Sequence, residues 1–435
     1  MQLDEYRRRR RDLMNLMGEG SVAVLAAAPE RIRNRDVQYR FRQDSDFQYL
    51  SGFPEPEAVM VLVPGREQGE YVLFCRERDP EREVWDGPRA GQDGAVGAYG
   101  ADDAFPIDDI DDILPGLLEG KEKVYCMLGV DPDFDHSLFG WVNQIRARGR
   151  SGARAPGEFV ALEHHLHEMR LVKSPPEVEI MREAAQVAAA AHRRAMEITR
   201  PGMSEFQVEA EFHAIFRRHN GDHAYLPIVG GGRNGCILHY INNDAVLGDG
   251  DLLLIDAGCE LDCYASDITR TFPVNGRFSG EQRAVYDIVL EAQHEAVEAV
   301  APGAHWNSSH EAALRVLTRG LKDLGLLEGD LDGLIESEAY RPFYMHRTGH
   351  WLGMDVHDVG DYKVGGQWRE LEPGMVMTVE PGLYISDGIP EVDPRWHNIG
   401  IRIEDDVAVT EGGREVLSAG APKAPEDIEA LMRRY

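Results

Sequence analysis

The chain has 435 residues, of which 43% are hydrophobic and 28% charged, which suits more than one domain with a sizeable core. Its 46 basic and 76 acidic side chains give a formal net charge of −30, so nucleic acid and anionic membranes are excluded as expected partners. No run approaches the ~20 apolar residues of a membrane span, and the first residues lack the apolar core of a signal peptide, so we expect a cytoplasmic protein.

The first third of the chain alternates segments typical of helices and strands. We predict a helix over residues 3–17 and strands over residues 21–26, 58–63 and 71–75. The arginine run at residues 7–11 fits the charged face of an amphipathic helix better than a polyanion site, because the chain as a whole is acidic. These elements predict a small α/β domain at the N-terminus.

A domain boundary is predicted near residue 173. Residues 163–170 form a short polar helix whose three histidines fit a solvated face better than a metal site. Residues 174–177, Ser-Pro-Pro-Glu, then combine a serine N-cap, a proline at the first helical position and an acid that completes a capping box. We therefore assign residues 1–172 to the N-terminal domain and residues 173–435 to the second domain.

The second domain begins with a long alanine-rich helix that we expect to end near Arg200, before Pro201 and Gly202. The glycine-rich residues 230–235 lack the Lys-Ser/Thr ending of a phosphate-binding loop, so we interpret them as a flexible loop. The five cysteines are an odd number and form no paired zinc motif, which indicates free thiols. Further helices are predicted near residues 204–219, 280–300 and 306–324.

Two aspartates, Asp256 and Asp267, flank a predicted hairpin. The apolar run at residues 252–255 ends at Asp256, and strand-like residues resume at Asp267. A turn at residues 261–262 would make the two acids direct cross-strand partners, with Cβ atoms ~4.5–5.5 Å apart. Two readings stay open here, because the pair could hold a cation or could flank a solvated hairpin.

Three further candidate ligands follow, and two of them are acids at the ends of apolar strands. Glu380 ends the run at residues 375–379, and Glu404 closes residues 400–403. His350 lies in a segment bracketed by Gly349 and Gly353, although a single histidine is more often a structural hydrogen-bonding residue than a ligand. Buried acids are costly without a cation, so the repeated pattern favours two hard divalent ions and a hydrolytic reaction.

Several motifs resemble one family of enzymes. They resemble the creatinase/aminopeptidase superfamily with the pita-bread fold and, within it, the Xaa-Pro aminopeptidases, also called aminopeptidase P. The similarity covers nearly the whole chain. The motifs are IDAG at 255–258, SDITR at 266–270, HWLGMDVH at 350–357, TVEPG at 378–382, GIRIEDD at 400–406 and RQDSDFQYLSGF at 42–53.

The resemblance implies an α/β chain with a C-terminal pita-bread catalytic domain and a smaller creatinase-type domain before it. By the same resemblance, Asp256 and Asp267 hold one ion, His350 and Glu380 hold the other, and Asp267 and Glu404 bridge both. The ions are expected to be two Mn²⁺, with Co²⁺ or Zn²⁺ as alternatives, and a hydroxide between them is the expected nucleophile.

The resemblance also implies roles for residues around the metals. His239 and His357 are expected to contact the substrate and to stabilise the oxyanion or the leaving group. Arg402 and Tyr384 are expected to orient the acids, and Glu380 is expected to shuttle a proton. The expected substrates are peptides that begin with Xaa-Pro.

We also expect a homo-oligomer, a dimer or tetramer. The sequence pattern places Trp85 in a surface loop, from which the family resemblance implies that it reaches a neighbouring subunit.

Three other functions are weighed against this one. A prolidase, which cleaves only Xaa-Pro dipeptides, would retain all five ligands, and residues 347–350 depart slightly from the expected aminopeptidase pattern. A non-catalytic pita-bread binding module is disfavoured by the intact ligand set. A metal-free creatinase would retain the fold but would not need the acids.

Overall fold

The computed structural model describes residues 1–433 and divides the chain into two compact units, Met1–Met169 and Arg170–Tyr435. No helix within residues 1–433 is both long and apolar enough to cross a bilayer. The five cysteines form no disulfide with one another, as the sequence predicts.

The N-terminal unit is built on a six-stranded mixed sheet with apolar, buried strands. In spatial order, the strands are Asp103–Pro106, Tyr71–Cys75, Val59–Leu62, Ser21–Ala26, Lys123–Cys126 and Glu158–Ala161. The strand Val59–Leu62 pairs antiparallel with both of its neighbours, Tyr71–Cys75 and Ser21–Ala26. The other three strand pairs are parallel. A separate hairpin pairs Ile32–Asn34 with Val37–Gln38.

Helices and 3₁₀ turns complete this unit. The helix predicted at residues 3–17 is confirmed, as are the strands at residues 21–26 and 71–75. The helices are Leu3–Met17, Ser45–Ser51, Pro80–Asp86, Gly91–Gly97, Ile110–Leu118 and Pro132–Ala147, with 3₁₀ turns at Ile107–Asp109 and Gly149–Ser151, and the helix Glu163–Leu171 contains the division between the units.

The placement of Trp85 in a loop was wrong, because it lies in the helix Pro80–Asp86. The side chain of Asp79 accepts hydrogen bonds from the backbone N–H groups of Glu81 and Arg82, which caps this helix. Trp85 is nevertheless at the surface, with 85% of its area exposed.

The C-terminal unit combines long helices with short antiparallel sheets around a large apolar core. Its helices are Pro175–Ile198, Glu205–Arg218, Gly280–Glu298, Asn307–Asp323, Leu331–Glu336 and Pro425–Met432, with 3₁₀ turns at Gly232–Cys236 and Pro394–Trp396. The predicted capping box of Ser174 and Glu177 is present and begins the first helix. The helices predicted at residues 204–219, 280–300 and 306–324 are confirmed to within two residues at each end.

The strands of this unit form five small sheets. In spatial order, they are Ile228–Gly231, Leu252–Asp256 and Thr269–Pro273; Tyr264–Ala265, Cys259–Leu261 and Asp222–His223; Lys363–Val364 and Gln367–Trp368; Val376–Val379, Asp405–Thr410 and Gly413–Val416; and Gly382–Ile385 with Ile399–Arg402. Every strand pair among them is antiparallel.

The predicted register of the aspartate hairpin was wrong. Asp256 pairs with Thr269 and not with Asp267. The turn is centred on Asp262 and Cys263, whose φ angles of 47° and 66° lie in the left-handed region typical of tight hairpin turns. Because the turn lies one residue later than predicted, the residue opposite Asp256 is two positions further along the second strand, at Thr269.

The glycine-rich segment at residues 230–235 is not the flexible loop that we predicted. It forms the end of the strand Ile228–Gly231 and the 3₁₀ turn Gly232–Cys236. A Cβ atom on Gly230 would lie 2.9 Å from the carbonyl oxygen of Asn234. Glycine is therefore needed for close approach of two backbone segments, which makes this part of the chain compact.

Candidate active site

Four acids reach the candidate site from places where strands begin or end. Asp256 is the last residue of its strand, and Asp267 lies just before Thr269–Pro273. Glu380 directly follows a buried strand, as predicted, and Glu404 lies in the short gap between two strands. Strand ends let these side chains leave the apolar core, which explains how acids can follow such hydrophobic runs.

Backbone hydrogen bonds bring His350 next to Glu380. The backbone N–H of His350 donates to Oγ1 of Thr378 at 3.1 Å, and the Thr378 N–H donates to the His350 carbonyl oxygen at 3.0 Å. The Glu380 N–H donates to the Thr348 carbonyl oxygen at 2.8 Å. A Cβ on Gly349 would lie 2.0 Å from the Thr378 carbonyl oxygen, so only glycine fits between the segments.

One cavity of about 440 Å³ collects the predicted residues. It is bordered by all five predicted ligands and by His239, His357 and Arg402. Tyr384 does not border it but contacts residues that do. The complete lining is Tyr225, Leu226, Ile228, Leu238, His239, Ile241, Asp256, Asp267, His346, Arg347, Gly349, His350, Val356, His357, Glu380, Arg402 and Glu404.

Burial and mutual repulsion raise the pKa values of three of the acids, Asp267, Glu380 and Glu404. Burial raises the pKa of Asp267, and the charge of Asp256 adds to this effect. Burial raises the pKa of Glu380 to about 7, and burial together with Asp267 raises that of Glu404 well above its usual range. Burial alone would lower the pKa of His350, but the acids around it raise the value to about 9. Acids this close together are stable in ionised form only beside positive charge.

The donor groups fit divalent metal ions. One ligand atom from each of Asp267, His350 and Glu404 lies within 4.8 Å of the others. His350 Nε2 lies 3.4 Å from Asp267 Oδ2 and 3.8 Å from Glu380 Oε1. Carboxylates with one imidazole suit hard or borderline cations, and a cation would remove the repulsion described above.

Arg402 connects the acids to one another and is almost fully buried. Its Nη2 donates to Oδ2 of Asp256 at 2.6 Å, its Nη1 to the Tyr384 hydroxyl at 2.9 Å, and its Nε to Oγ1 of Thr269 at 3.0 Å. The Thr269 hydroxyl in turn donates to Oε2 of Glu404 at 2.6 Å. One guanidinium group therefore holds Asp256 directly and Glu404 through Thr269, although the two acids lie far apart in the sequence.

The two predicted histidines lie at the cavity in different surroundings. The His357 ring packs edge-on against that of His350, with ring centroids 4.4 Å apart. Burial lowers the pKa of His357, and the charge of His350 lowers it further. His239 is exposed at the cavity wall, in a segment without regular secondary structure.

Sequence reasoning missed three polar residues of the cavity, Tyr225, His346 and Arg347. The Tyr225 hydroxyl hydrogen-bonds to Oδ1 of both Asp256 and Asp267. His346 Nε2 lies 2.8 Å from the Tyr384 hydroxyl. His346 lies four residues before a predicted ligand and could have been suspected from that spacing, whereas no local pattern around Tyr225 marks it.

Comparisons with known proteins agree with this geometry. The model of metallopeptidase family M24 matches residues 179–411, and that of the aminopeptidase P N-terminal domain matches residues 6–125. The Xaa-Pro aminopeptidase of Escherichia coli K12 is 48% identical over 432 residues, which cover 98% of this chain and 97% of that protein. Human Xaa-Pro aminopeptidase 3 is 35% identical, with 98% of this chain and 85% of that protein covered.

Solved structures show the same similarity. An aminopeptidase from Pseudomonas aeruginosa superimposes with a TM-score of 0.99 at 64% identity, covering 100% of this chain and 98% of that one. Aminopeptidase P from E. coli with the inhibitor Pro-Leu gives a TM-score of 0.97 at 47% identity, covering 100% and 99%.

The fold class expected from the sequence motifs is thereby confirmed. The chain belongs to metallopeptidase family M24 and, within it, to the Xaa-Pro aminopeptidases.

Proposed function

We propose that this chain releases the N-terminal residue from peptides with proline in the second position, using two divalent ions, with Mn²⁺ as the working metal. The observation that carries the proposal is the set of four acids and one histidine around one cavity. The relatives named Xaa-Pro aminopeptidase support the substrate class.

The five ligands divide between two ions in this proposal. Asp256 and Asp267 would hold one ion, His350 and Glu380 the other, and Asp267 and Glu404 would contact both. When bound, the ions would polarise the scissile carbonyl and lower the pKa of a shared water towards neutrality. Four carboxylates suit Mn²⁺, while an E. coli relative was solved in zinc-substituted form.

Glu380 and the two histidines of the cavity would take part in proton transfer and in hydrogen bonding to the reacting groups. Proline contributes a peptide nitrogen without N–H, and that nitrogen must gain a proton as it leaves. Glu380 would accept a proton from the attacking water at its carboxylate, because it borders the cavity next to His350. His239 and His357 border the same cavity and would donate hydrogen bonds to the developing oxyanion or the leaving group.

Arg402 and Tyr384 would hold the acids in place. The contact of Arg402 with Asp256 leaves that carboxylate one fixed orientation. Tyr384 links Arg402 to His346, which also borders the cavity. We also propose that residues 1–172 form the N-terminal domain, that residues 173–435 form the catalytic domain, and that the active protein is a homo-oligomer.

Comparing three peptides tests the proposal. We expect manganese-dependent release of the first residue from an Xaa-Pro-Xaa tripeptide and no cleavage of the matched tripeptide with alanine in the second position. Exclusive hydrolysis of the Xaa-Pro dipeptide would instead identify a prolidase. Failure to bind metal or to cleave any of these peptides would identify a non-catalytic relative.

A further inference from the structure

One buried acid of the C-terminal unit, Glu205, has no role in the proposed reaction. It is the first residue of the helix Glu205–Arg218, and none of its surface is exposed. Its carboxylate accepts hydrogen bonds from uncharged groups. The helix N-terminus favours a negative charge at this position, but a buried carboxylate also needs hydrogen-bond donors.

Four donors meet this carboxylate, and all four come from one stretch of the chain. The Gly231 N–H and the Asn234 Nδ2 donate to Oε1, at 2.7 and 3.1 Å. The Tyr240 hydroxyl and the Ala245 N–H donate to Oε2, at 2.8 and 2.9 Å. Glu205 therefore ties together residues 231–245 at both ends and in the middle.

That stretch carries His239 and has little structure of its own. Between the 3₁₀ turn Gly232–Cys236 and the strand Leu252–Asp256 it forms no helix or strand. His239 itself is exposed, and its neighbour Tyr240 is the residue bound to Glu205. Burial against the core therefore cannot fix the position of His239, so the hydrogen bonds of the adjoining residues must do so.

A second buried side chain supports the same segment. Asn243 has 2% of its area exposed and a left-handed φ of 49°. Its Oδ1 accepts from the Val229 N–H at 3.0 Å, and its Nδ2 donates to the Pro227 carbonyl oxygen and to Oε2 of Glu209, both at 2.9 Å. The helix that carries Glu205 and Glu209 thus anchors the His239 segment at two places.

We propose that Glu205 is a positioning residue for the peptidase reaction, which acts by holding the segment 231–245 so that His239 faces the bound peptide. This inference rests on the proposed function of His239. A glutamine at position 205 would offer one acceptor oxygen and an NH₂ group to four donors, so at least one donor would lose its partner.

A double-mutant cycle tests this role. Glu205→Gln is expected to lower kcat/KM for an Xaa-Pro-Xaa tripeptide about tenfold, with metal content unchanged. In the His239→Ala background the same substitution is expected to change kcat/KM by less than about twofold, because the residue it positions is gone. Equal losses in both backgrounds would overturn the proposal, since a purely structural defect would lower activity in either one.

Two further variants distinguish a loss of positioning from a folding defect. Tyr240→Phe removes only one of the four hydrogen bonds, so we expect a smaller loss of activity that also disappears in the His239→Ala background. Glu211→Gln is the matched control, because Glu211 lies on the same helix and pairs with Arg194 near the surface. We expect this variant to keep wild-type activity.

Amide hydrogen exchange separates this inference from the proposed function. Exchange at Gly231 and Ala245, whose N–H groups bind Glu205, should become faster in Glu205→Gln and stay unchanged in Glu211→Gln. Unchanged exchange in both variants would overturn the positioning role. A wild-type enzyme that cleaves no Xaa-Pro peptide would overturn the proposed function, whatever the exchange shows.

Discussion

Glu404 shows how strongly one carboxylate is constrained in this site. It is buried, receives a hydrogen bond from Thr269, and lies within reach of two other candidate ligands. We predict that Glu404→Gln lowers kcat more than about 100-fold and reduces bound manganese, because a neutral amide is a poorer ligand for a hard cation. Elemental analysis of the purified variant, together with tripeptide hydrolysis, measures both effects.

The exposed Glu411 provides the matched control, since Glu411→Gln makes the same chemical change outside the cavity. His239→Ala provides a contrast, because His239 borders the cavity without belonging to the proposed ligand set. We expect it to lose activity while retaining both ions. Loss of metal in this variant would contradict the assigned division of roles.

Arg402 illustrates why arginine is needed where several acceptors converge. Its three nitrogens reach Asp256, Tyr384 and Thr269 in different directions, and a single ammonium group cannot reproduce that arrangement. We predict that Arg402→Lys lowers kcat about 10- to 100-fold while the charge is conserved. Wild-type kinetics in this variant would show that charge alone suffices.

At the scale of elements, the helix Pro175–Ile198 buries a histidine completely. His192 Nε2 lies 3.1 Å from the carbonyl oxygen of Ala257 and donates to it, and Nδ1 has no partner among the residues described. Burial, together with the charge of Arg270, lowers the pKa of His192 to about 3. The folded protein therefore keeps this ring neutral where an unfolded chain would protonate it.

This difference predicts a pH-dependent stability. Below the unfolded pKa of about 6.5, the unfolded state gains a proton that the folded state excludes, so stability falls as pH decreases from about 6.5 to about 3. One such group contributes about 1.4 kcal/mol per pH unit within that window. Chemical denaturation of wild type and His192→Gln across this range should give a shallower slope for the variant. Equal slopes would show that His192 does not titrate as described.

Local sequence patterns were sufficient to predict most helices and strands of the fold. Ser174 and Glu177 marked the start of a helix because a capping box satisfies backbone N–H groups within a few residues. The hairpin register could not be predicted in the same way. It depends on left-handed φ angles at Asp262 and Cys263, which are uncommon in residues other than glycine.

For the whole molecule, the strand-end acids were identified from the sequence, whereas the network around them was not. Asp256 and Glu380 stand out because each follows a hydrophobic run. Tyr225 carries no such mark, because it joins two aspartates only after distant parts of the chain have packed together. Sequence patterns report local structure, and contacts of this kind arise from tertiary packing.

Metal removal is expected to weaken the folded state as a whole. The cavity gathers Asp256, Asp267, Glu380 and Glu404, so cations that bind only the folded protein stabilise it, by about 2.7 kcal/mol at a metal concentration 100 times the Kd. We predict a lower Tm in EDTA than in Mn²⁺, measured by calorimetry. Glu404→Gln should show a smaller difference, and an equal difference would place the stabilising ions elsewhere.

The backbone hydrogen bonds between the His350 and Glu380 segments have a consequence for sequence variation. Both candidate ligands belong to segments joined by these hydrogen bonds, so the spacing of their side chains is independent of the length of the chain between them. Residues Lys363–Val364 and Gln367–Trp368 form a hairpin between them, which is exposed except for the half-buried Trp368. Insertions or deletions at its tip should therefore be tolerated without any change in the distance between the two donors.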